Sequence, residues 1–83
     1  MNRVALVTGG SRGIGAATVL RLAQMGFHVA FTYKSARSEA AAVAACVEAL
    51  GRKALPSQLD LVELGRIKPT VDEVVEKLGG LHV

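Results

Sequence analysis

Between Gly9 and Gly15 the chain sets three glycines at a G-x-x-x-G-x-G spacing, with Gly10, Ser11, Arg12 and Ile14 among them. Glycine tolerates positive φ and lets other atoms come close to the main chain, so such a cluster suits a tight turn whose amides point outward. A helix opening near Gly13 would add N–H groups without intrahelical partners and the positive end of its dipole. Together these make an anion site, and the anion such a site commonly takes is a pyrophosphate. The spacing is not the G-x-G-x-x-G of most dinucleotide loops, nor a P-loop, since no Gly-Lys-Ser/Thr follows.

Two further stretches are placed to complete a nucleotide site. An NAD site usually carries an acid about 20 residues beyond the glycines, at the end of the second strand, to bond the ribose 2′-hydroxyl. Here that place is Tyr33-Lys34-Ser35, and the first carboxylate after it is Glu39. With no acid to repel a 2′-phosphate, and Arg12 and Lys34 to attract it, the pattern favours NADP. A phosphate about 4 Å from one cation gains about 4 kcal/mol gross at an effective dielectric of 20, and a quarter of that shifts preference several-fold. The alternative for both cations is a solvated surface charge. Asp60 falls after a third strand candidate, where open α/β sheets bind ligands, although a turn or helix cap would use it equally well.

No other residues have the spacing of a reactive set. His28 and His82 stand alone, without a carboxylate or cysteine at metal-ligand spacing. The single cysteine, Cys46, excludes an internal disulfide, fits a reducing compartment, and reads as a small core filler beside its helix stripe.

The elements that must position these groups follow from hydrophobic pattern. Val4 to Val7 run apolar without alternation, as in a buried strand over Arg3 to Thr8. From Gly13 to about Met25, Ala16, Val19, Leu20 and Ala23 share a helical stripe that Gly26 ends. Phe27 to Tyr33 is a β-branched and aromatic second strand, and Ser35 or Ser38 is placed to cap a second helix with the stripe Ala40, Val43, Ala44 and Val47. Lys53 to Leu61 is a third strand that Pro56 confines to an edge. A last helix is expected from Thr70, with Val71, Val74, Val75 and Leu78 buried and Gly79-Gly80 at its end; Leu81 to Val83 begins a fourth strand. This order is that of a doubly wound parallel α/β sheet.

A chain of 83 residues is one domain at most, with 51% hydrophobic and 20% charged residues, which is globular rather than disordered. The net charge of +3 comes from ten scattered cations, so no nucleic-acid footprint is expected. The opening MNRVALVTGG lacks an apolar stretch of signal length, and no segment approaches a membrane span, so the expected location is cytoplasmic.

With these elements in place, TGGSRGIG (Thr8 to Gly15) resembles the cofactor loop of the short-chain dehydrogenase/reductase family, and is most similar to NADP-linked 3-oxoacyl-acyl-carrier-protein reductases. The similarity runs through VALVTGGSRGIG, Gly26, LDL after the third strand, and KLGGLHV. It covers essentially the whole chain, which corresponds to roughly the first third of a family member. The resemblance implies a three-layer Rossmann-type sheet in the order 3-2-1 with a stub of strand 4, residues 1–83 being the amino-terminal part of the NADP-binding domain. It implies that Gly9, Ser11, Arg12, Gly13, Ile14 and Gly15 cradle the pyrophosphate and 2′-phosphate. Lys34 and Ser35 would hold phosphate and ribose, and Asp60 with Leu61 the adenine.

The family protonates its substrate with a Tyr-x-x-x-Lys pair and an upstream serine. Tyr33 is the only tyrosine and has Arg37 four residues on, and the Asn-Asn-Ala-Gly segment is not in the chain, so no catalytic residue carries over. Gly65 and Pro69 interrupt the family's helix, whose first half is therefore doubtful as helix. The chain alone is expected to be inactive, a segment of a reductase acting on a 3-oxoacyl thioester or similar ketone; a stand-alone nucleotide-binding module is the alternative. With strand 1 central and strand 4 a stub, an apolar edge is left open, which invites self-association.

Overall fold

The computed structural model describes residues 3–11, 13–60 and 64–83. Three parallel strands, β1 (Arg3–Val7), β2 (Phe27–Tyr33) and β3 (Ala54–Gln58), form one sheet in the order β1-β2-β3. Arg3 stands opposite Phe27 and Val7 opposite Phe31, while Val29 to Tyr33 pair with Ala54 to Gln58. The unbroken apolar run of β2 has its cause in this arrangement. As the middle strand it is covered on both faces, and every residue from Phe27 to Thr32 is buried.

Helices α1 (Gly13–Gln24) and α2 (Arg37–Ala49) cover one face, where Ala5, Val29 and Phe31 meet Val19, Ala40 and Val47. All four stripe positions of α2 are buried, and its alanines let the helix lie close to the sheet. Helix α3 (Ile67–Leu78) covers the other face, with Val74 against Val4 and Ala30. The three layers and the parallel order are those the sequence predicts.

Several boundaries differ. Strand β3 is shorter than Lys53 to Leu61, and Pro56 sits in it as an edge residue. Neither Ser35 nor Ser38 caps α2; Ala36 holds that position without a side-chain bond, and Ser35 instead gives its carbonyl to the Arg37 N–H at 3.0 Å. Helix α3 starts at Ile67 rather than Thr70, behind a 3-10 turn over Leu64–Arg66 that contains Gly65. Pro69 is tolerated because it lies in the first turn, where a missing N–H breaks no helical bond. Val75 is 45% exposed, so the buried stripe of α3 is narrower than expected. Cys46 is exposed rather than a core filler.

The outer edge of β1 is partly occupied. Val83 N–H donates to Val4 O at 3.2 Å and Leu6 N–H to Val83 O at 2.9 Å, the pattern of a parallel pairing opposite Ala5. His82 adds its main-chain N–H to Val4 O and accepts the Val4 N–H on Nδ1 at 3.0 Å. Leu81 to Val83 therefore begins the position next to β1, and the edge is less open than a bare stub would leave it.

His28, buried in β2, accepts the Lys53 N–H on Nδ1 at 2.9 Å, while its Nε2 is buried without a partner among the described residues. Burial pushes its pKa below the ordinary 6.5, and the charges of Lys53 and Arg52 act the same way. The unfolded chain then takes up a proton as pH falls through about 6.5, which the folded chain refuses until lower pH. Stability is expected to fall from pH 7 towards 5.5, by at most about 1.4 kcal/mol per pH unit for this one group. His28→Asn keeps an acceptor for Lys53 and removes the titration; urea melts across that range are expected to show a flatter profile for the variant.

Candidate functional site

Beyond Val7 the chain turns through Thr8 to Ser11 and enters α1. Thr32, at the far end of the buried run of β2, holds this turn: its Oγ1 accepts the Gly9 N–H at 3.2 Å and its carbonyl accepts the Gly10 N–H at 3.0 Å. These two amides are therefore not outward donors, which corrects the expectation for that half of the loop. The first-turn amides of α1, at Gly13, Ile14 and Gly15, have no intrahelical acceptor and are donors open to a ligand.

Each glycine answers a separate constraint. Gly9 and Gly13 have φ of +68° and +56°, and a Cβ on either would meet nothing within 4 Å, projecting into open space. Gly10 is packed: a Cβ there would stand 2.6 Å from Phe31 Cβ and 2.8 Å from Val19 Cγ2. A Cβ on Gly15 would collide with the Gly9 carbonyl oxygen and lie 2.8 Å from its carbon. The last contact sets how near the mouth of α1 comes to the loop.

In front of Gly9 two adjoining clefts open at the carboxyl ends of the strands. One, of about 200 Å³, is lined by Gly9, Thr32, Tyr33, Lys34, Leu59 and Asp60. The other, of about 290 Å³, is lined by Gly9, Ser11, Tyr33, Lys34, Ser35 and Ala36. The fold thus brings together Gly9, Ser11, Lys34, Ser35 and Asp60, five of the ten residues singled out from sequence. Gly13, Ile14 and Gly15 form the start of α1 and do not line either cleft; the Ile14 side chain is 88% exposed there. Arg12 and Leu61 lie outside the described residues.

Lys34 Nζ stands 3.8 Å from Asp60 Oδ2 across the first cleft, with the lysine side chain 75% exposed. A pair this long and this wet holds little energy, so the ammonium stays available to a stronger anion. The main chain beneath it is held more firmly. Gln58 Nε2 donates to the Lys34 carbonyl at 2.9 Å, and Arg66 donates to Gln58 Oε1 and to Gln58 O, each at 3.2 Å.

Gly10, Thr32 and Leu59 were not legible as site residues, whereas Tyr33 was placed at the adenosine end without a role. Tyr33 and Leu59 share the wall of the first cleft because β2 and β3 end together, the Leu59 N–H bonding Tyr33 O at 2.8 Å. Thr32 is, with His28, one of two polar residues in the buried run of β2, a signal that could have marked it. Among the described residues no group of His, Cys, Asp or Glu could hold a metal ion, and no helix is long and apolar enough to cross a membrane.

The open space before Gly9 and Gly13 and the Lys34 cation at the exit of β2 leave room for an anionic ligand. Residues 3–83 match the family model described as short chain dehydrogenase. The chain is 42% identical over 81 residues to hydroxynaphthalene reductase arp2 of Aspergillus fumigatus, a match covering 98% of this chain and 30% of that protein. It is 37% identical over 83 residues to the 3-oxoacyl-(acyl-carrier-protein) reductase FabG of Staphylococcus epidermidis, covering 100% of this chain and 34% of the relative. A short chain dehydrogenase from Burkholderia cenocepacia, solved in complex with NADP, superposes with a TM-score of 0.93 at 51% identity, over 95% of this chain and 32% of that one. The chain spans about a third of the length of these relatives.

The glycine roles are separable by substitution. Gly15→Ala is expected to lose up to about 3 kcal/mol, because the obstruction is main chain and cannot swing aside. Gly13→Ala, strained only by its left-handed φ, is expected to lose about 1 kcal/mol. Denaturant melts giving the reverse order would show that α1 does not approach the loop this closely.

Proposed function

Because the chain belongs to the short-chain dehydrogenase family, we propose that residues 1–83 are the amino-terminal part of an NADP(H)-binding domain in a reductase. The observation that carries the cofactor preference is Lys34, which follows the last residue of β2 and lines both clefts, where an NAD site would present a carboxylate. In this reading the first-turn amides of α1, with Ser11 and Arg12, take the pyrophosphate and the 2′-phosphate. Lys34 and Ser35 take the 2′-phosphate and ribose, and Asp60 with Leu61 takes the adenine.

The relatives include a protein named for reduction of a 3-oxoacyl thioester and one named for a hydroxynaphthalene. We propose a ketone of the first class as the substrate of the whole enzyme. When bound, NADPH supplies the hydride. The residues present here bind and orient it: Gly9 and Gly13 leave room, Gly15 lets α1 close on the loop, and the exposed Ile14 at the head of α1 adds an apolar surface beside the phosphate turn. In this reading the segment contributes binding and not turnover.

Fluorescence titration with NADPH and NADH tests the assignment. NADPH is expected to bind several-fold tighter, with the gap narrowing as salt is raised, because the phosphate contact is exposed. Lys34→Ala is expected to cut the preference up to about fivefold while leaving NADH affinity in place. Equal affinities for the two dinucleotides in the unaltered chain would remove the NADP assignment.

A further inference from the structure

We infer that Gln58 and Arg66 are positioning residues for the 2′-phosphate end of the cofactor site: they fix the main chain at Lys34, and so the direction from which Lys34 and Ser35 meet a phosphate. This rests on the NADP(H) assignment proposed above and deepens it, by naming what holds the segment that discriminates between the two dinucleotides.

The sheet itself cannot hold that segment. Its last main-chain bond between β2 and β3 runs from Leu59 N–H to Tyr33 O at 2.8 Å, and Lys34 and Ser35 lie beyond it, both exposed. The Lys34 side chain does not anchor them either, being 75% exposed and 3.8 Å from its carboxylate partner. What meets the Lys34 carbonyl is the side-chain amide of Gln58, the closing residue of β3, at 2.9 Å.

A glutamine amide can offer either its oxygen or its nitrogen, and a flexible one would give Lys34 little order. Here the choice is made by Arg66. One nitrogen of its guanidinium donates to Gln58 Oε1 and the other to Gln58 O, so the fork grips side chain and main chain of the same residue. With its oxygen engaged by a donor, the amide presents its nitrogen to Lys34. Arg66 is in turn placed by the 3-10 turn that leads into α3, and its own carbonyl accepts the Thr70 hydroxyl at 2.8 Å. Order therefore passes from the head of α3, through the end of β3, to the exit of β2. An anion arriving there finds the backbone already set, which removes part of the ordering cost from binding.

A purely electrostatic role for Arg66, as one more cation near a phosphate, makes a different prediction from positioning. Arg66→Lys keeps the charge and loses the fork; Gln58→Met keeps the length and loses both hydrogen bonds. The test is calorimetric titration of the full chain with 2′,5′-ADP and with 5′-AMP, which differ only by the 2′-phosphate. The unaltered chain is expected to prefer 2′,5′-ADP. Both variants are expected to lose about threefold in affinity for 2′,5′-ADP, the scale of one neutral hydrogen bond, with 5′-AMP affinity unchanged. An unchanged ratio in Arg66→Lys, or an equal loss for both ligands in either variant, would overturn the inference while the NADP assignment stands. An unaltered chain with no preference for 2′,5′-ADP would instead fail the assignment itself, and the inference with it. Should Gln58→Met melt early, Arg66→Lys carries the test, since its side chain is exposed and its charge conserved.

Discussion

Main chain meets main chain where β1 hands over to α1, and the rest of the site depends on that approach. Gly15 brings the first turn of α1 against the carbonyl of Gly9, and Gly10 rests on Phe31 and Val19 with no room for a methyl group. Thr32 then ties the turn to β2 with two hydrogen bonds. The helix opening, the phosphate turn and the exit of the central strand become one rigid corner, fixed to a strand buried on both faces. Distances at a phosphate site matter to a fraction of an ångström, and only a corner anchored in the core keeps them.

Charge at the site is arranged differently from backbone. The Lys34 ammonium is loosely held and mostly in water, whereas its carbonyl is gripped through Gln58 and Arg66. A loose side chain on a firm main chain can move without dragging the loop. Asp60 lies 3.8 Å from the same ammonium, a contact too long and too wet to fix it.

What was legible in the sequence was whatever one element could express alone. The period of α2, the buried run of β2 and the glycine spacing each follow from local rules, and the parallel α/β class followed from the alternation of elements, while the strand order came with the family resemblance. What stayed hidden belongs to pairs of elements. Ser35 looked like a cap, yet the chain turned through Ala36 with a carbonyl bond instead. Thr32 became a tether only because the glycine turn lies over it, and Gln58 only because β3 stops level with β2. Val75 looked buried by periodicity, but α3 meets the sheet along a strip as narrow as Val74 and its neighbours.

The boundary between Thr32 and Lys34 has an evolutionary meaning. Thr32 is the last of six consecutive buried residues in β2, and two positions later the side chains stand in water. Replacing Lys34 or Ser35 leaves no hole and strands no buried polar atom, so a lineage can sample new chemistry there at almost no risk to the folded state. Any discrimination between coenzymes that rests on Lys34 or Ser35 is thereby uncoupled from the packing that holds the glycine corner to β2.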